Sequence, residues 1–174
     1  MEISLGSLKR GAEEAQGTTI IIDVFRAFTT AAIAFDRGAK EIVLFADPND
    51  ALDLHRKGVG DYLMGEVSGK KPDGFHFGNS PHEISDVDMT GKTLIQSTRA
   101  GTVGVEAATN AAEVFLGSFV VAQATVDAIR KESPSLVSII AMGDQGVVRA
   151  DEDEQCGIYP VSYTHLTLPT SDLV

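Results

Sequence analysis

Five stretches of this chain combine residue types that handle anions or cations. The first is Asp23-Val24-Phe25-Arg26-Ala27-Phe28-Thr29-Thr30, which closes a β-branched run and opens an alanine-rich one. A carboxylate at such a junction can hold a divalent cation, while Arg26 and the free amides of a helix start can donate to phosphate oxygens. The plainer alternative makes Asp23 a helix cap and Arg26 a surface residue. Gly65-Glu66 ends another apolar run in the same way, and Ser97-Thr98-Arg99-Ala100-Gly101-Thr102 ends a third. Small hydroxyl and glycine residues at a helix start leave backbone amides facing outward, and Arg99 adds charge; a simple cap has the same composition. Gly78-Asn79-Ser80-Pro81 supplies Asn79 and Ser80 as donors to a phosphate or sulfonate. Last come Gly143 to Gly146 and then Asp151-Glu152-Asp153-Glu154, which either bind metal or begin a solvated helix.

Other chemistries find less support. His76 and His82 bracket the Gly-Asn-Ser-Pro turn without a nearby cysteine or a helical histidine pair, which argues against zinc, although His76 could touch a substrate. His55 falls in a helical pattern and is expected to be exposed. Cys156, the one cysteine, has no base beside it and reads as a packed side chain. The glycines form neither a G-x-G-x-x-G nor a Walker pattern, which counts against dinucleotides and P-loop nucleotides. The haloacid dehalogenase phosphatases also place an aspartate after their first strand, but their second aspartate would fall at Phe25, so that reading fails.

The elements that must position these residues alternate. Thr18 to Val24 reads as a strand buried on both faces, and Phe28 to Arg37 as a helix stopped by Gly38. Glu41 to Phe45 is the next strand, and Asp47-Pro48 caps a helix to about Lys57. Tyr62-Leu63-Met64 is a short strand, followed from Glu66 to about Asp88 by a Gly-, Pro-, Asn- and His-rich stretch too long for a simple connection. Strand Thr93 to Ser97, helix Val103 to Thr109, strand Val114 to Leu116, a helix from Ser118 to about Lys131 and strand Leu136 to Met142 complete the pattern. Strict alternation predicts an α/β fold, a mostly parallel sheet covered on both faces, whose strand ends gather the polar motifs.

The bulk composition agrees. The 174 residues have the length of one ordinary domain, with 43% hydrophobic and 22% charged side chains. No apolar run approaches the roughly 20 residues of a bilayer span, and Met1-Glu2-Ile3-Ser4-Leu5-Gly6 lacks the basic and apolar regions of a secretory signal. With a single cysteine, a disulfide framework is excluded and the cytoplasm is the expected compartment. The formal net charge of −11 disfavours nucleic acid and anionic membranes as partners. It equally repels a small anionic substrate, so phosphate handling requires a local reversal of sign by metal, arginine or amides.

The last residues, 158–174, carry two prolines, no periodicity and one charged side chain, Asp172. Val161 to Thr170 resembles the translation of a transposon-derived adapter used in DNA library preparation; the alternative is a polar terminal loop. The expected division is therefore one domain over 1–157 and a non-native tail over 158–174.

In combination, the motifs resemble the 2-phosphosulfolactate phosphatase family, the ComB family of the coenzyme M pathway. The matching segments are Ile22 to Thr30, Gly38 to Val43, Gly65-Glu66, Pro72 to Pro81, Thr98 to Thr102, Gly117-Ser118 and Glu152-Asp153 before Cys156, in the family's order over about residues 18 to 157. The resemblance implies a three-layer α/β/α fold, incomplete here at its C-terminus, and a homo-oligomer. It implies a Mg²⁺-dependent phosphoric monoester hydrolase that converts (2R)-2-phospho-3-sulfolactate to 3-sulfolactate and phosphate. Asp23, Glu66, Glu152 and Asp153 are then the metal positions, Asp23 and Arg26 the catalytic ones. Thr29, Thr30, Asn79, Ser80, Arg99, Gly101 and Thr102 hold the phosphorylated, sulfonated hydroxy acid. A non-catalytic module that binds a phosphorylated small molecule is the competing reading.

Overall fold

The computed structural model describes residues 1–162, with side chains through Tyr159. Chain order runs β1 (Glu2–Ser7), α1 (Leu8–Glu14), β2 (Gly17–Ile22), α2 (Ala27–Asp36), β3 (Glu41–Phe45), α3 (Pro48–Arg56), β4 (Tyr62–Gly65), β5 (Phe77–Gly78) and α4 (Pro81–Ile84). It continues with β6 (Thr93–Ser97), α5 (Gly101–Ala107), β7 (Ala111–Gly117), α6 (Ala122–Glu132), β8 (Leu136–Ala141) and α7 (Asp151–Ser162). The tail expected over 158–174 thus begins within α7, and its remainder, 163–174, lies outside the described residues.

The fold is a three-layer α/β/α arrangement, and every strand pairing within it is parallel. The strands do not form the one sheet expected. They form two four-stranded sheets, ordered β1-β8-β2-β7 and β3-β6-β4-β5. Periodicity assigns side chains to faces, whereas the partner of each strand is set by crossovers the pattern does not encode.

Alternation along the strands explains the layers. In the first sheet Ile21 and Ile140 pack with Ala12, Ala27, Phe28 and Met142 on one face. Their neighbours Ile20, Ile22, Val137 and Ile139 pack with Val126, Ile129 and Cys156 on the other. In the second sheet Leu94 joins Ala34, Met64, Ile84 and Met89, while Ile95 joins Ala51, Leu63 and Phe75 on the opposite side. Strands buried on both faces need continuous β-branched and aliphatic runs, which is the composition of β2, β6 and β8.

Helix α2 belongs to both cores, with Phe28 at its start packed on the first sheet and Ala34 near its end on the second. Two buried polar contacts join the sheets at the same place. Gln96 Nε2 donates to the Ala27 carbonyl at 2.9 Å, and the Gly101 amide donates to Asp23 Oδ2 at 2.8 Å. The Asp47 cap forms as expected, accepting from the Asn49 amide at 2.7 Å, with Pro48 in the first turn.

Candidate functional site

The C-terminal ends of β2, β4, β6 and β8 and the start of α7 enclose a cavity of about 470 Å³, lined by residues from all five segments. Open parallel sheets place ligands at this end because the helix-opening turns leave amides and side chains uncommitted there. Of the residues singled out in the sequence, Asp23, Arg26, Glu66, Asn79, Arg99, Glu152 and Asp153 all line it. These positions span 131 residues of sequence, from 23 to 153, and the fold brings them to one place.

Three of the carboxylates are held in the same way, each by two backbone amides. Asp23 Oδ1 accepts from Ala27 at 3.0 Å and Oδ2 from Gly101 at 2.8 Å. Glu66 Oε1 accepts from Arg99 at 2.9 Å and Oε2 from Gly69 at 2.7 Å. Asp153 Oδ1 accepts from Val24 at 2.8 Å and Oδ2 from Gly143 at 2.8 Å. Both oxygens of each are thereby fixed in direction, with one lone pair of each oxygen left over. Glycine is required at two donors. A methyl at Gly101 would stand 2.9 Å from Asp23 Oδ2 and from the Phe28 ring, and Gly143 has φ +64 with a neighbouring carbonyl where a Cβ would go.

The electrostatics of the cavity are those of crowded acids. Burial raises the Asp23 carboxyl most; the Ala27 amide opposes it, the Asp153 charge adds to it, the Gly101 amide opposes and Glu66 adds again, for a value of about 7. Asp153 is raised too, by burial first, against the Val24 and Gly143 amides and with Glu152 and Glu154. Like charges this close in a low-dielectric setting favour a proton or a cation. Two guanidiniums supply the opposite sign. Arg26 and Arg99 are both exposed to the cavity, and among the described residues neither side chain has an ion-pair partner. Asn79, 6% exposed, points a buried Oδ1 that meets no donor.

Other expected binders stand elsewhere. Thr29 donates to the Val24 carbonyl at 2.8 Å and Thr30 to the Arg26 carbonyl at 2.8 Å. Thr102 donates to the Thr98 carbonyl at 2.7 Å, and Ser80 caps α4 through the Glu83 amide. None of the four lines the cavity, and Gly101 reaches it only through its amide on Asp23. His76 is turned away, its Nδ1 accepting from the Leu63 amide at 2.9 Å. His55 lies in α3 as expected but is half-buried, with Nδ1 3.2 Å from the Gly60 carbonyl. Cys156 is packed in the core, as expected, and burial pushes its thiol up to about 12. Residues the sequence did not single out also line the cavity, among them Phe25, 73% exposed, and Ser68-Gly69. An aromatic so exposed beside Asp23 and Arg26 carries no signal in a linear pattern.

Among the described residues no group of three or more His, Cys, Asp or Glu side chains converges as a ready-made metal cage. No helix of the described chain is long and apolar enough to cross a membrane.

Comparison with known proteins follows the same residues. The family model described as 2-phosphosulpholactate phosphatase matches residues 7–163. A probable 2-phosphosulfolactate phosphatase of Bacillus subtilis is 36% identical over 142 residues, covering 80% of this chain and 60% of the relative. Proteins of the same description from Thermoplasma acidophilum and Prochlorococcus marinus are 35% and 32% identical, covering 68% and 80% of this chain and 53% and 58% of those relatives. The chain therefore spans less than two thirds of the length of these curated relatives.

Proposed function

The chain belongs to the 2-phosphosulfolactate phosphatase family, and from that premise we propose that its cavity binds a phosphorylated, sulfonated hydroxy acid and hydrolyses the phosphate ester with the help of Mg²⁺. One observation carries this reading. Two guanidiniums without ion-pair partners among the described residues share a cavity with a buried, amide-fixed carboxylate at the end of β2.

The donor set suits a hard, hydrated cation. All the cavity's acidic donors are oxygens, burial first and then the charges of Asp153 and Glu66 raise Asp23, and Asn79 Oδ1 lacks a donor. Mg²⁺ keeps several waters and asks for one or two carboxylates, so a full cage is not needed. Asp23 and Asp153, whose charges act on each other, are the residues that would hold it. When bound, it supplies neutralisation of phosphoryl charge as a Lewis acid.

The protein's own groups have separate tasks. Arg26 and Arg99 bind the two anionic ends of the substrate through paired N–H donors. The Ala27 and Gly101 amides keep the Asp23 carboxylate from rotating, so it meets the phosphoryl group without reorganisation. Phosphoryl transfer is mostly positioning and charge stabilisation, which a rigid carboxylate between two cationic arms provides.

Calorimetric titration of this chain with inorganic phosphate tests the binding half of the reading. Phosphate binding that weakens by about tenfold or more in both Arg26→Ala and Arg99→Ala is expected. Binding unaffected by either substitution would remove the arginines from the site.

A further inference from the structure

Glu66 differs from the other carboxylates of the cavity in what its amide partners carry. Its Oε1 takes the amide of Arg99 itself, and its Oε2 takes the amide of Gly69, which lines the cavity. Glu66 follows the end of β4, and Arg99 follows the end of the neighbouring β6, whose Ser97 carbonyl accepts the Glu66 amide at 3.0 Å. The contact therefore runs in both directions between the two turns. Arg99 begins a sharp turn that ends in α5, and among the described residues its side chain makes no ion pair. What holds it is its own backbone.

We propose that Glu66 is a positioning residue for Arg99, clasping the Arg99 and Gly69 amides so that the guanidinium enters the anion site, and that it is not a metal ligand. This rests on the functional reading above. The geometry gives the idea an unusual sign. On charge alone, removing a carboxylate from a cavity that binds an anion tightens the anion. Through positioning, removal releases the turn that carries a cationic arm and loosens the anion. The two effects oppose each other, so the direction of the change identifies the role. Loss of the charge-assisted bond also leaves two amide donors without their acceptor.

The test is a double-mutant cycle on this chain, read as inorganic phosphate affinity by calorimetry, with Mg²⁺ affinity and thermal unfolding measured on the same samples. Glu66→Ala should weaken phosphate by roughly tenfold, and Glu66→Ala combined with Arg99→Ala should bind no more weakly than Arg99→Ala within about twofold. Glu66→Gln keeps one acceptor and should fall between the parent and Glu66→Ala while unfolding near the parent temperature. Mg²⁺ affinity should remain within about twofold throughout. Phosphate affinity that is unchanged or improved in Glu66→Ala and Glu66→Gln would overturn the proposal. So would a double variant whose loss equals the product of the single losses, or a Mg²⁺ affinity that falls along with phosphate. No phosphate binding by the unaltered chain would instead overturn the functional reading, and this proposal with it.

Discussion

In the absence of divalent cations, this protein should lose stability as pH rises from about 4 to about 7, and Asp23 should be the reason. Its carboxyl is raised from 3.8 to about 7, with burial the largest cause. A folded-state value above the unfolded one means the folded protein binds the proton more tightly. The stabilisation is complete below about pH 4 and is lost as pH climbs through 7. At about 1.4 kcal/mol per pH unit, the interval is worth on the order of 4 kcal/mol. For a domain of this size that is roughly 8–16 °C of Tm. Other groups add slopes of their own, and Asp153, raised by burial first, adds one of the same sign as Asp23. His76 is lowered, by burial first and then by the charges of His55 and Lys71, and so raises stability with pH below its ordinary value of 6.5. The clean quantity is the difference between parent and Asp23→Asn, in which slopes common to both cancel. Calorimetric Tm values in EDTA from pH 4.5 to 8 should fall for the parent relative to Asp23→Asn, and excess Mg²⁺ at pH 8 should restore much of the loss in the parent alone. A parent and variant with parallel profiles in EDTA would refute the reasoning.

Two further outcomes follow from the packing. Asp153→Ala strips acceptors from the buried Val24 and Gly143 amides and should cost about 2–4 kcal/mol in urea unfolding, with Asp153→Asn milder. Ile95, fully buried in the second sheet, should cost about 2–5 kcal/mol on truncation to Ala without altering phosphate affinity, since it faces away from the cavity lining.

The sequence made some of this legible and hid the rest for physical reasons. β3 and β6 are found over the ranges expected, because continuous apolar runs bounded by turn residues have few other uses. β1 and α1 went unseen. β1 is an edge strand whose Leu5 is 60% exposed, so it lacks the run that marks β2 and β8. β5 is two residues long and has no period at all. The long stretch after Glu66 turns out to carry β5, α4 and the cavity's Ser68, Gly69 and Asn79.

At the site, the charged side chains were legible because a charge directly after an apolar strand run falls where open parallel sheets bind ligands. The hydroxyls were not. A threonine in the first turn of a helix has a backbone carbonyl within reach, and Thr30 and Thr102 each donate to the carbonyl four residues before. Sequence gives the same letter to a hydroxyl aimed at a ligand and one satisfied locally. Gly101 reads in sequence as a ligand binder, yet its contribution is an amide on Asp23 and the absence of a Cβ.

The most direct test of the account is phosphate release from synthetic 2-phosphosulfolactate, with and without Mg²⁺. It compares this chain, its Asp23→Asn variant and, as a length control, the Bacillus subtilis relative. Mg²⁺-dependent release by this chain that is lost in Asp23→Asn is the expected result. No release by this chain, while it is folded and binds phosphate and the longer relative turns the substrate over, would contradict it.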